Sequence, residues 1–130
     1  MSALTQERNT LELYGPISYE RVVATGKKIY AGALVAQDSN GKAVPAADAA
    51  NLVVLGRAEN TAAAGETVLI RTGIFLYDSG TATEAITVTA IGKPCYALDD
   101  QTIGIKGGTN TIAAGIVADV MTDGVAVKIG

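Results

Sequence analysis

Few side chains in this sequence have the type and spacing that chemistry needs. The best carboxylate pair is Asp99-Asp100, directly after Leu98. Adjacent residues of a strand point to opposite faces, so two neighbouring Asp share an ion only where a turn bends them together. No EF-hand spacing follows them, and a solvated turn is the expected setting. Cys95 sits between Pro94 and Tyr96. A nucleophilic thiol needs a base or a positive field to form its thiolate, and the chain has no His at all. Core packing is therefore the expected role of Cys95. The stretch of residues 106–111, with Gly107-Gly108 at its centre, has the look of a phosphate loop. It lacks the G-x-x-x-x-G-K-[ST] spacing, and no long helix follows it to aim a dipole. Gly26-Lys27-Lys28 fails the same test. Arg57, Arg71, Lys93 and Lys128 are scattered along the chain. No catalytic constellation remains, no metal site is expected, and no cofactor is called for.

The elements that would position these residues are short strands. Fifteen Gly punctuate the chain, with turn signals at Ser39-Asn40-Gly41, Asp78-Ser79-Gly80, Gly107-Gly108 and Asp123-Gly124. Closely spaced Gly turns between Val/Ile runs predict an all-β fold, a compact β-barrel or β-sandwich. In the last run Val125, Val127 and Ile129 face inward while Ala126 and Lys128 face out. Residues 116–120 form the strand before it, with Asp123-Gly124 as the hairpin turn. Residues 67–77 read as one long strand. Val68, Ile70, Ile74 and Leu76 share one face there, Arg71, Phe75 and Tyr77 share the other, and Gly73 marks a bend. Residues 45–51 are Ala-rich behind Pro45 and are expected to form one or two helical turns at most.

The chain also contains one unit twice. Residues 24–31 and 90–97 share the pattern A-x-G-K-x-x-Y-A, and residues 68–73 and 125–130 share V-apolar-apolar-basic-x-G. Gly56 and Gly115 open looser matching runs between them. Repeats over 24–73 and 90–130 would pack as one pseudo-symmetric barrel or sandwich, since neither half buries its apolar face alone. Residues 1–20 read as an extended N-terminal arm with one short strand, ahead of a single β domain over 21–130.

Composition narrows the function classes. The 130 residues are 48% apolar but only 5% aromatic, so Val, Ile, Leu and Ala must fill the core. One Cys excludes a disulfide within the chain. Ten Lys and Arg against thirteen Asp and Glu give a net charge of −3. Nucleic-acid binding needs a basic face to displace counterions, and this balance argues against it. The polar N-terminus lacks a signal-peptide core, and no apolar run approaches the roughly 20 residues that cross a bilayer. A soluble product made in the cytosol, with no membrane partner, is expected. With 18% charged residues, part of the surface is expected to be hidden in an assembly.

Several stretches resemble the small cement, or decoration, proteins of tailed-phage capsids. They are residues 54–60, residues 64–73 with the strand entry Ala64-Gly65-Glu66-Thr67-Val68, residues 92–102 with the turn Leu98-Asp99-Asp100-Gln101-Thr102, and residues 114–129. The likeness covers residues 20 to 130, and the arm carries no matching motif. The resemblance implies a non-enzymatic β domain and a location on the outer capsid surface of the virion. It implies binding to the major capsid protein at junctions between subunits, as a homotrimer or by self-association, and bracing of the expanded head. The arm could add a strand to a capsid-protein sheet, and Leu11, Leu13, Tyr14, Ile17 and Tyr19 are its candidate anchors. The alternative is a carbohydrate-binding or adhesive β module of a phage fibre or tail. Sugar sites show exposed aromatics, and the candidates are Tyr14, Tyr19, Tyr30, Tyr77 and Tyr96.

Overall fold

The computed structural model describes residues 3, 5–7 and 18–130. Twelve strands follow in order: β1 (Ser18–Val22), β2 (Lys28–Ile29), β3 (Leu34–Gln37), β4 (Ala43–Pro45), β5 (Val53–Ala58) and β6 (Ala62–Ala63). Then come β7 (Thr67–Arg71), β8 (Gly73–Ser79), β9 (Pro94–Ala97), β10 (Thr102–Gly104), β11 (Ala113–Met121) and β12 (Gly124–Ile129). Two single 3₁₀ turns, Ala82–Glu84 and Val88–Ala90, are the helical content of the described residues. The fold is all-β, as the Gly and Val/Ile pattern predicts.

The strands form a five-stranded sheet in the order β1-β7-β5-β3-β4, a closed barrel β10-β8-β12-β11-β9, and the small pair β2-β6. The large sheet and the barrel repeat one topology. Read from β8, the barrel runs β8-β12-β11-β9-β10, with β8 in the place of β1, β12 of β7, β11 of β5, β9 of β3 and β10 of β4. The registers agree residue by residue. Ala36 pairs with Val44 and Val54, and Tyr96, 60 residues on, pairs with Gly104 and Ala113. Val35 faces Gly56 across a bulge that skips Leu55, and Cys95 faces Gly115 across a bulge that skips Ala114. Ser79 meets Ile103 in parallel to close the barrel, and Val23 meets Ala43 in parallel at the same point of the sheet.

The same close approach recurs in both copies. A Cβ on Gly56 would collide with the Arg71 carbonyl oxygen, and a Cβ on Gly115 with that of Lys128. Glycine at these two bulges lets β5 approach β7 and β11 approach β12 more closely than any side chain permits.

Several expectations change in detail. The pattern shared by residues 24–31 and 90–97 sets β2 beside β9, whereas the registers set β3 there, and the turn glycine equivalent to Gly92 is Gly32, both at positive φ. The match of residues 68–73 with 125–130 does fall on equivalent strands, β7 and β12. Residues 67–77 are two strands, not one. Thr72 is buried and Gly73 takes φ +151, and the inward parity switches there. Val68 and Ile70 are buried in β7, but in β8 Tyr77 and Phe75 turn to the core while Ile74 and Leu76 are exposed. Residues 45–51 form no helix. Pro45 ends β4, the Ala46 N–H donates to Leu34, and the Asp48 N–H donates to Leu98. These long-range bonds outweigh the weak local preference of Ala. In the last hairpin Met121 pairs with Gly124, so Thr122 and Asp123 make the turn. Gly124 is needed because a Cβ there would meet the Tyr77 carbonyl oxygen at 2.5 Å.

Two apolar clusters fill the protein. Val23, Ile29, Val35, Ala43, Leu55, Val68 and Ile70 belong to the first copy. The second holds Cys95, Ile103, Val117, Val125, Val127 and Ile129, with Leu34, Ala36, Val44 and Ala46 packed against them. Strand β3 is thus buried on both faces, Val35 toward its own copy and Leu34 and Ala36 toward the other. Each such Val or Leu contributes about 1.5–3 kcal/mol relative to exposure. The two copies therefore share one wall.

Candidate interaction surface

Two of the residues singled out for chemistry, Cys95 and Asp99, are held in structural roles. Cys95 is fully buried, its Sγ 3.5 Å from the Gly115 carbonyl oxygen. Burial pushes the thiol up to about 11, against a small opposing effect of that bond, so the thiolate is suppressed at neutral pH. Asp99 accepts the Gln101 N–H at 2.9 Å and shapes a turn. Among the described residues no group of three metal-ligating side chains comes together.

The Gly-rich loop does gather anions, but they are the protein's own. Glu84 Oε1 accepts the N–H groups of Lys106 (2.8 Å) and Gly107 (2.9 Å), and its Oε2 accepts that of Gly108 (2.7 Å). Asp48 continues the series: Oδ2 accepts the Thr109 N–H at 2.9 Å, and Oδ1 that of Asn110 at 2.8 Å. The Asn110 amide adds bonds to Asp48 Oδ1 and to the Asp48 carbonyl. Five consecutive amides thus form a nest of the kind that binds phosphate, filled by two carboxylates. Partial burial works to raise the Glu84 pKa, but the amides of Gly107, Gly108 and Lys106 and the Lys106 charge hold it below the ordinary value. The amides of Thr109 and Asn110 and the Asn110 side chain lower that of Asp48, against a small effect of burial. Asp48 comes from the first copy and the loop from the second, so the nest also ties the copies together. The sequence marked the loop by its glycines; nothing local marked Glu84 or Asp48 as its partners.

Of the candidate arm anchors, Leu11, Leu13, Tyr14 and Ile17 lie outside the described residues. Tyr19 lies in β1, which begins at Ser18, so this strand crosses the boundary expected at residue 20. Tyr19 pairs with Ile70, is half-buried against the first cluster, and has the Arg21 guanidinium 5.3 Å from its ring.

The surface feature that sequence reasoning missed is the outer face of the barrel. The registers set Ile74, Lys128, Ile116 and Pro94 in one row across β8, β12, β11 and β9. Leu76, Ala126 and Asp119 stand in the next row, and Met121 lies beyond on β11. Ile74 is 60% exposed, Leu76 50%, Ile116 41% and Met121 54%. The first copy answers with charge. Arg57 stands where the second has Ile116, Arg71 where it has Lys128, and Glu20 where it has Leu76. Glu59 pairs with Arg57 at 2.8 Å and with Arg71 at 3.5 Å, and the Arg57 guanidinium lies 4.3 Å from the Phe75 ring centroid. These fold positions thus carry a part-buried ion-pair network in the first copy, and exposed aliphatic groups interspersed with Lys128 and Asp119 in the second.

Fold and surface define an all-β protein, a five-stranded sheet packed on a closed five-stranded barrel, with exposed aliphatic residues on the barrel's outer face and no group of three metal-ligating side chains among the described residues. No family model, no curated protein and no solved structure matches the chain.

Proposed function

We propose that this protein is a capsid cement protein, binding the outer surface of a tailed-phage head at junctions between major capsid subunits and bracing the expanded shell. The observation that carries the reading is the aliphatic face of Ile74, Leu76, Ile116 and Met121, in a chain with the sequence resemblance to decoration proteins. In this reading the face meets the shell or a neighbouring copy in a trimer, and the segment holding Leu11, Leu13, Tyr14 and Ile17 supplies a second contact. Several modest contacts engaged together hold a multivalent shell far more tightly than one. The net acidic charge disfavours the packaged nucleic acid as a competing partner.

The test is co-sedimentation with purified expanded heads, together with the melting temperature of those heads. Wild-type protein is expected to pellet with heads and raise their melting temperature. Ile116→Asp with Leu76→Asp is expected to abolish pelleting while the variant's own melting temperature stays unchanged. Wild-type protein that never pellets with heads overturns the proposal.

A further inference from the structure

A shallow polar depression lies where the two copies meet. Tyr30, Ala31, Gly32 and Ala33 line it from the turn before β3, and Asp100 and Gln101 from the turn between β9 and β10. Its volume of about 440 Å³ lies within the range of small-ligand pockets, about 300–1,000 Å³. Tyr30 is 59% exposed, whereas Tyr77 is buried and Tyr19 and Tyr96 are half-buried. The Lys28 ammonium lies 5.1 Å from the Tyr30 ring centroid, and a cation over a ring occupies one face only. Among the described residues the Tyr30 hydroxyl, the Asp100 carboxylate and the Gln101 amide have no hydrogen-bond partner, so their bonding capacity is free for a ligand.

The frame is pre-organised. The Leu34 N–H donates to the Asp100 carbonyl at 2.8 Å, which locks one turn to the other. The Gly32 N–H donates to Ala58 at 2.8 Å and the Ala31 N–H to Thr61 Oγ1 at 3.0 Å. A site already held in shape loses little entropy on binding. Its chemistry selects the ligand class. A flat aromatic face suits the C–H face of a sugar ring. A planar carboxylate beside a planar amide suits adjacent hydroxyls, the first accepting and the second both donating and accepting. Asp100 disfavours phosphates and other anions. The second copy lacks the equivalent site, because Ala90 stands there where the first copy has Tyr30.

We propose that this depression is a carbohydrate subsite that takes one neutral hexose unit, its ring stacked on Tyr30 and its adjacent hydroxyls held by Asp100 and Gln101. The test is a titration of the full chain, followed by amide NMR shifts, with the methyl glycosides of galactose, glucose, mannose and N-acetylglucosamine up to about 50 mM, since single-sugar sites bind in the millimolar range, about −4 kcal/mol. At least one glycoside is expected to give saturable shifts confined to residues 28–34 and 98–102. Tyr30→Ala and Asp100→Asn are each expected to weaken that binding at least about tenfold, a loss of about 1.4 kcal/mol, with the remaining amide spectrum unchanged. Asp123→Asn, on a distant turn, is expected to bind as wild type. No shift with any glycoside, shifts centred elsewhere, or binding that survives both variants overturns the proposal. The titration does not read head binding, so its failure leaves the cement reading standing.

Discussion

Adding a single methyl group at Gly115 is expected to separate two strands that the fold requires to touch. A Cβ there falls on the Lys128 carbonyl oxygen, well inside the 3.0 Å that side-chain carbons respect. The obstacle is the backbone of β12, which cannot swing aside as a side chain does. Relief requires β11 and β12 to part by about 1 Å at the bulge, beside fully buried Val117 and Val127. Overpacking of this kind costs about 1–3 kcal/mol, and a backbone obstacle places Gly115→Ala at the upper end, about 3 kcal/mol. At roughly 4 °C per kcal/mol for a chain of this size, the melting temperature falls by about 12 °C. Gly56→Ala meets the Arg71 carbonyl in the same way and is expected to match it within about 4 °C. Gly26→Ala is the control. Nothing lies within 4 Å of a Cβ there, and only its φ of +75 is strained, worth about 1 kcal/mol. Thermal melts followed by far-ultraviolet circular dichroism at pH 7 give all three values. A Gly115→Ala melt no lower than that of Gly26→Ala would refute the close-approach reasoning.

Three further outcomes follow from the geometry. Glu84 and Asp48 have folded pKa values below their ordinary 4.5 and 3.8, so their contribution is fully present above those values and is lost as pH falls through the folded ones. The melting temperature should therefore hold steady from pH 7 down to about 5 and drop below about 4, with Glu84→Gln shrinking the drop; an unchanged acid limb in Glu84→Gln together with Asp48→Asn contradicts the nest. Cys95, pushed up to about 11 and fully buried, should react with a disulfide reagent at pH 8 only as fast as the protein unfolds, and stoichiometric labelling of native protein within seconds would show an accessible thiol. Val127→Ala, at a residue with no exposure, should cost about 2–3 kcal/mol by urea unfolding; a loss below 1 kcal/mol, on the scale of an exposed site, would deny that the barrel interior is close-packed.

Much of this architecture could be read directly, where local pattern and long-range structure agree. Strict alternation placed Val125, Val127 and Ile129 inside, because a half-exposed strand has no other way to bury its apolar set. The match of Val68 with Val125 located two equivalent strands for the same reason. Reading failed where a tertiary contact decides. The inward parity flips at Thr72-Gly73 because the chain leaves one sheet for the other, and alternation alone carries no mark of that step. Residues 45–51 have a helical composition, yet Asp48 is held by amides 61 and 62 residues away. The exposed face was hidden for a related reason. Ile74, Leu76 and Ile116 look like core residues until the register shows which side they take. The polar depression joins turns far apart in sequence, so Tyr30 and Asp100 had no reason to be considered together.

The double burial of β3 has a consequence for how this chain can change. The face that β3 turns away from its own cluster is interior to the barrel's cluster, through Leu34 and Ala36. A fragment beginning at Gly73 would bare the ground on which those side chains rest, and a fragment ending there would carry them into water. The halves, though copies in plan, are not separable modules: a shared plan makes them twins, and the common partition makes them dependants.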